Sequence, residues 1–196
     1  MTLARYLVVG RTGNGKSSLI NSTFGRHVAR THEFEACTTI VEHHALGTPL
    51  GNIVLIDTPG FAEGDHDDDL QRAKTIAEHV SLRDVFAVMY VTRLGETRVR
   101  ADELRTLRAL SRQFGEALWD KAWLVLTFAA EVAPSRRNDF AGARRSLLNE
   151  AVIDSLKAQS PLVSFVDFRR CWLIDNVVDD WCDDGVPLAQ VLTNQR

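Results

Sequence analysis

An apolar run, Leu3–Val9, leads directly into Gly10-Arg11-Thr12-Gly13-Asn14-Gly15-Lys16-Ser17 and then into a helix-like segment, Lys16–Phe24. The octapeptide satisfies GxxxxGKS without interruption, in the strand-to-helix setting this pattern requires. Few folds accommodate it. Its glycines must let the backbone curve around an anion while the following helix turns unpaired N–H groups toward negative charge. Phosphate is therefore expected at Arg11, Thr12, Gly13, Asn14, Gly15, Lys16, Ser17 and Ser18. Lys16 should contact the β- and γ-phosphates of a nucleoside triphosphate, and Ser17 should ligate magnesium. Asn14 can either shape the loop or approach the outer phosphate.

The remaining pattern alternates strands with helices. Thr38–Leu46 and Asn52–Asp57 read as strands joined by the turn-rich Gly47-Thr48-Pro49-Leu50-Gly51, and Val85–Val91 and Ala122–Thr127 read as buried strands. Leu70–Val80, Ala101–Phe114 and Phe140–Lys157 carry helical spacing. Pro161 can end the last of these, with Leu162–Val166 as the final strand and Val186–Leu192 as a terminal helix. The fold class that follows is α/β, a three-layer P-loop NTPase fold with a mostly parallel central sheet and one antiparallel edge strand.

Asp57-Thr58-Pro59-Gly60 follows the strand that ends at Asp57, where an α/β sheet places ligand groups. Asp57 is expected to hold magnesium through water, and the Gly60 N–H to sense the γ-phosphate. The intervening Thr38-Thr39 offers a magnesium-ligating hydroxyl, Thr39 first and Thr38 as the alternative. The chemistry would be in-line attack of water on the γ-phosphate, driven by positioning and charge stabilisation. The residue after Gly60 is Phe61, which cannot orient water by hydrogen bonding, so intrinsic hydrolysis should be slow. Phe61 is read as covering a switch or an interface.

With 196 residues, 45% of them apolar, the chain can bury one core, and residues 1–196 are read as one domain. A net charge of -3 gives no general case for nucleic-acid binding, and Arg136-Arg137 and Arg144-Arg145 are read as projecting into solvent. The acidic stretch Glu63–Asp69 is read as solvated loop. Three cysteines without metal-site spacing fit free thiols in a reducing compartment such as the cytoplasm. No window approaches the roughly 20 apolar residues that cross a bilayer.

The sequence resembles the septin-like GTPase branch that contains the AIG1 immune-associated GTPases and the chloroplast outer-envelope Toc receptors. The resemblance rests on the opening Gly10–Asn21, on Asp57–Phe61, and on Val88–Val99, with its Arg93-Leu94-Gly95-Glu96-Thr97-Arg98 segment. Phe114-Gly115 and Trp119-Asp120-Lys121 extend it and look especially like the plastid receptors. It implies binding of GTP or GDP with Mg2+, a nucleotide-dependent homodimer across the nucleotide faces, and recognition of an effector protein. Peripheral attachment to an organelle through another segment or partner belongs to the same expectation. Arg98 would occupy the position that reaches toward the partner's nucleotide, whereas Arg93 is read as supporting the loop; Glu96 and Asp102 are possible pairing partners for these arginines.

Base recognition departs from the usual pattern. The TKxD region is represented by Thr127-Phe128-Ala129-Ala130-Glu131, without its lysine. Phe128 can supply a stacking surface, Glu131 can face guanine, and Asp167 and Phe168, placed after the expected final strand, can line the base. Two other readings remain open at this level, a non-catalytic guanine-nucleotide binder and an ATPase.

Overall fold

Strand β1 (Leu3–Gly10) alternates between two cores: Leu7 and Val9 enter one, Tyr6 and Val8 the other. A strand buried on both faces has to be covered on both sides. The computed structural model describes residues 3–30, 40–48, 51–63, 65–168, 170–175 and 181–182. After β1 come α1 (Lys16–Phe24), β2 (Glu42–Thr48), β3 (Gly51–Asp57), α2 (His66–His79) and β4 (Ala87–Arg93). Then follow α3 (Ala101–Phe114), the single turn α4 (Glu116–Trp119), β5 (Ala122–Thr127), α5 (Arg137–Leu156), β6 (Cys171–Asp175) and β7 (Trp181–Cys182).

The strands form one sheet in the order β2-β3-β1-β4-β5-β6-β7, with β3, β1, β4, β5 and β6 mutually parallel. Antiparallel pairing of β2 with β3 supplies the expected edge strand, and the two-residue β7 adds a second on the opposite edge. Helix α1 packs on one face through Leu19 and Ile20. Helices α2, α3 and α5 cover the other through Ile76, Leu107, Leu110, Leu148 and Val152. These are the three layers. Parallel strands present their C-terminal ends together, so the loops after β1, β3, β4 and β5 meet at one rim.

Helix α2 starts earlier than its apolar period suggests. Asp65 accepts hydrogen bonds from the N–H groups of Asp67 and Asp68, and the Asp68 carboxylate accepts from the Asp65 N–H, forming a capping box. Asp69 is fully buried and accepts from the Ala62 N–H at 2.7 Å. The acidic stretch is therefore in large part helix-initiating structure rather than solvated loop.

The final parallel strand is not Leu162–Val166. Leu162 and Phe165 are 95% and 77% exposed, and β5 instead pairs Leu124, Val125 and Leu126 with Cys171, Trp172 and Leu173. Trp172 anchors this register by packing edge-on against Trp123 at 4.9 Å. Asp167 and Phe168 consequently precede the last parallel strand and lie at the end of the sheet opposite the phosphate-loop rim. Phe168 is fully buried against Trp119 and Tyr90, and Asp167 accepts two hydrogen bonds from Arg145, at 2.7 and 3.0 Å, and one from Asn149. Neither residue lines a base at that rim. Phe168→Ala is expected to cost about 3–5 kcal/mol of stability, read as a lowered urea midpoint. Asp167→Asn, which loosens a partly exposed pair, is expected to leave nucleotide affinity unchanged in a binding titration.

Candidate functional site

The loop Gly10–Ser17 is held by the ends of three strands. Gly10 adopts φ 151°, and a Cβ there would lie 2.3 Å from the Val91 carbonyl oxygen of β4, so only glycine fits this approach. Asn14, 2% exposed, donates from Nδ2 to the same carbonyl at 3.1 Å. Its side chain shapes the loop. The Thr127 hydroxyl at the end of β5 donates to the Asn14 carbonyl at 2.8 Å.

The third attachment comes from the segment after β3. Thr12 N donates to Phe61 O at 3.0 Å, Phe61 N donates to Gly10 O at 3.3 Å, and Arg11 and Phe61 form a parallel bridge. Phe61 is fully buried in the larger core. Gly60 lies so close to the loop that a Cβ would stand 1.9 Å from Thr12 Oγ1 and 2.8 Å from its Cα.

Lys16 is 7% exposed, with Nζ donating to the Arg11 carbonyl at 3.2 Å. At the first turn of α1, Ser17 Oγ donates to Asp57 Oδ2 at 2.9 Å, and the Thr58 N–H donates to Asp57 Oδ1 at 3.0 Å. Thr58 in turn donates to the Val8 carbonyl at 2.7 Å, so the carboxylate sits in a fixed frame. A hydroxyl and a fully buried carboxylate side by side are the hard oxygen donors that suit magnesium together with phosphate oxygens. Ser18 follows in the same first turn. Thr38 and Thr39 lie outside the described residues.

Behind the loop runs a buried ionic network. Arg11 pairs with Glu96 and Asp102, while Glu96 also accepts from Arg144 at 2.9 Å. Arg144, 1% exposed, donates to both oxygens of the fully buried Glu103 at 2.6 Å, to Thr92 Oγ1 at 2.7 Å and to the Arg98 carbonyl at 3.1 Å. Burial opposes the charge on Arg11, but Glu96, Glu103 and Asp102 outweigh it and hold the guanidinium above its usual range. Burial raises Asp102 while Arg11 and the Glu103 N–H lower it, and the net shift is below the ordinary aspartate value. Glu96 and Asp102 thus pair with Arg11 and not with Arg93 or Arg98.

Arg144 is far from solvent, contrary to the reading of its basic pair. The signal was available in the spacing, since Ala141, Leu148 and Val152 are buried on α5 and Arg144 falls on their face. Arg98 is exposed, and only its backbone carbonyl is tied into the network.

Arg93, at the end of β4, donates from Nη2 to the Gly13 carbonyl at 3.1 Å, and its guanidinium carbon lies 4.1 Å from the Phe128 ring centroid. Phe128 stands at φ 56°, ψ 38°, a left-handed conformation that costs a bulky residue on the order of 1–3 kcal/mol. A cavity of about 440 Å³ opens beside Arg93, lined by Gly13, Asn14, Glu96 and the exposed Glu131 among others.

The AIG1 family model matches residues 4–160 of the chain. The chain belongs to the AIG1 family. A curated relative, translocase of chloroplast 90 from Arabidopsis thaliana, is 30% identical over 181 residues, which is 85% of this chain and 23% of the relative. Four such relatives are matched over only 12–28% of their own length, so the chain spans under a third of each. Among solved structures, Toc33 from Arabidopsis thaliana in complex with Mg2+ and GMPPNP is similar with a TM-score of 0.72 at 25% identity, covering 100% of this chain and 87% of that one. A dimerisation-deficient arginine-to-alanine mutant of Toc33 gives 0.73 at 25% identity over 100% and 86%. No helix among the described residues is long and apolar enough to cross a membrane.

Because the Thr12 backbone blocks any side chain at position 60, Gly60→Ala is expected to push the segment after β3 off the phosphate loop. The expected result is a loss of about 1–3 kcal/mol in thermal unfolding, accompanied by weakened nucleotide binding.

Proposed function

We propose that this chain is a magnesium-dependent GTP-binding switch that hydrolyses GTP slowly and whose nucleotide state controls homodimerisation or recognition of an effector protein. The observation that carries this reading is the pairing of Ser17 Oγ with buried Asp57 Oδ2 at 2.9 Å beside the GxxxxGKS loop. It joins the two halves of a magnesium–triphosphate site. Lys16 would set its ammonium on the β- and γ-phosphates, and the loop N–H groups of Gly13, Gly15, Lys16, Ser17 and Ser18 would surround the remaining oxygens. Ser17 and Asp57 would hold magnesium, which would supply charge neutralisation to the triphosphate.

The family and the Toc33 complex with Mg2+ and GMPPNP support guanine nucleotides, GTP before hydrolysis and GDP after it. The Gly60 N–H follows the γ-phosphate from a segment already bonded to the loop, which gives the site its sensor. Thr39 is the proposed switch hydroxyl. Phe61, buried, leaves no hydrogen-bonding side chain at the position after Gly60, which supports slow intrinsic turnover.

Arg98 is the proposed trans contact in a homodimer. Its support is an exposed side chain on a backbone pinned by Arg144, together with the dimerisation-deficient arginine mutant described for Toc33. The name of the chloroplast relative supports peripheral attachment to an organelle through another segment or a partner. Phosphate release at saturating magnesium is expected to be slow but above that of Lys16→Ala. Protomer mass is expected to double with a slowly hydrolysed GTP analogue, and not to do so in Arg98→Ala. Binding without phosphate release at any protein concentration would leave a non-catalytic guanine-nucleotide binder, and unchanged doubling in Arg98→Ala would remove that residue from the interface.

A further inference from the structure

Position 128 carries no cation, yet a cation occupies the place beside it. The Arg93 guanidinium lies over the Phe128 ring at 4.1 Å and donates to Gly13 O at 3.1 Å. Ring and guanidinium together make an apolar surface at the end of β5 followed by a positive donor on the phosphate loop, the two parts that a lysine carries in one side chain. The two parts come from neighbouring strands that are already locked in register, with Leu94 N donating to Thr127 O at 3.0 Å. Phe128 holds a strained left-handed backbone to present its ring there.

We infer that Arg93 is an affinity-determining residue of the nucleotide site, acting with Phe128 as a two-residue substitute for the missing lysine. This rests on the reading of the chain as a nucleotide binder. The half-buried ring offers its remaining surface to a purine, while the guanidinium behind it polarises the stack and fixes the loop carbonyl. The ligand class is a nucleoside di- or triphosphate, and the contribution comes from the nucleoside end. Arg93 is thus more than a support for its own loop. Glu96, which lines the same cavity, does not compete for it, being taken up by Arg11 and Arg144.

The test compares the unaltered chain, Arg93→Ala, Phe128→Lys and the double variant Arg93→Ala/Phe128→Lys, titrated with magnesium GDP, a slowly hydrolysed GTP analogue, its ATP counterpart and tripolyphosphate. Arg93→Ala is expected to weaken guanine-nucleotide binding about tenfold, the loss of one charge-assisted hydrogen bond with its stack. Tripolyphosphate, which has no base to stack, loses clearly less, and the double variant recovers most of the lost affinity because the introduced lysine carries stem and ammonium in one side chain. Unaltered nucleotide affinity in Arg93→Ala, an equal loss for tripolyphosphate, or no recovery in the double variant would each overturn the inference. A preference of the unaltered chain for the ATP analogue sinks the guanine reading alone, since the contribution of Arg93 is a difference between variants on whichever nucleotide binds.

Discussion

The backbone of Gly10 touching the Val91 carbonyl is the contact on which the rest of the rim depends. Gly10 pairs with Val91 at the C-terminal ends of β1 and β4, and no side chain fits between them where the loop begins. That carbonyl is then claimed by Asn14, and Thr127 and Phe61 secure the loop from β5 and from the segment after β3. The loop is thus attached on three sides. A loop fixed in this way lowers the ordering cost of binding, and the Ser17 hydroxyl at its end donates to Asp57.

Charge is distributed around the loop in two tiers with different jobs. Beneath it, Arg11, Glu96, Arg144 and Glu103 neutralise one another in a buried chain that ties the phosphate loop, the 93–100 segment, α3 and α5 into one body. Buried ions of this sort are tolerated only when closely paired and hydrogen-bonded, and they specify geometry more than they add stability. At the rim, Lys16 and Arg93 donate to loop carbonyls, and Arg98 is exposed. The inner tier fixes the backbone from which the outer tier projects, which is how a change at the phosphate loop can reach the proposed dimer face.

Much of this was legible in the sequence because local signals agreed with the fold. GxxxxGKS and Asp57-Thr58-Pro59-Gly60 each sat after an apolar strand, and α1, α3 and β5 took the bounds that their periods set. Misreadings arose where tertiary contacts chose between equal local patterns. Leu162–Val166 looks as strand-like as Cys171–Asp175, but Trp172 against Trp123 decides which one joins β5. That choice moved Asp167 and Phe168 to the far end of the sheet. Arg144 was misplaced because charge was weighed above its spacing on α5. The partnership of Arg93 with Phe128 could not be read locally, since it joins two strands through space.

The central claim is that the three-sided loop and Asp57 make a magnesium-dependent site for guanine nucleotide. The most direct measurement is an equilibrium titration of a slowly hydrolysed GTP analogue against its ATP counterpart, with and without magnesium. Saturable binding that requires magnesium and favours the GTP analogue is expected. Equal or stronger binding of the ATP analogue, or affinity indifferent to magnesium, would contradict it.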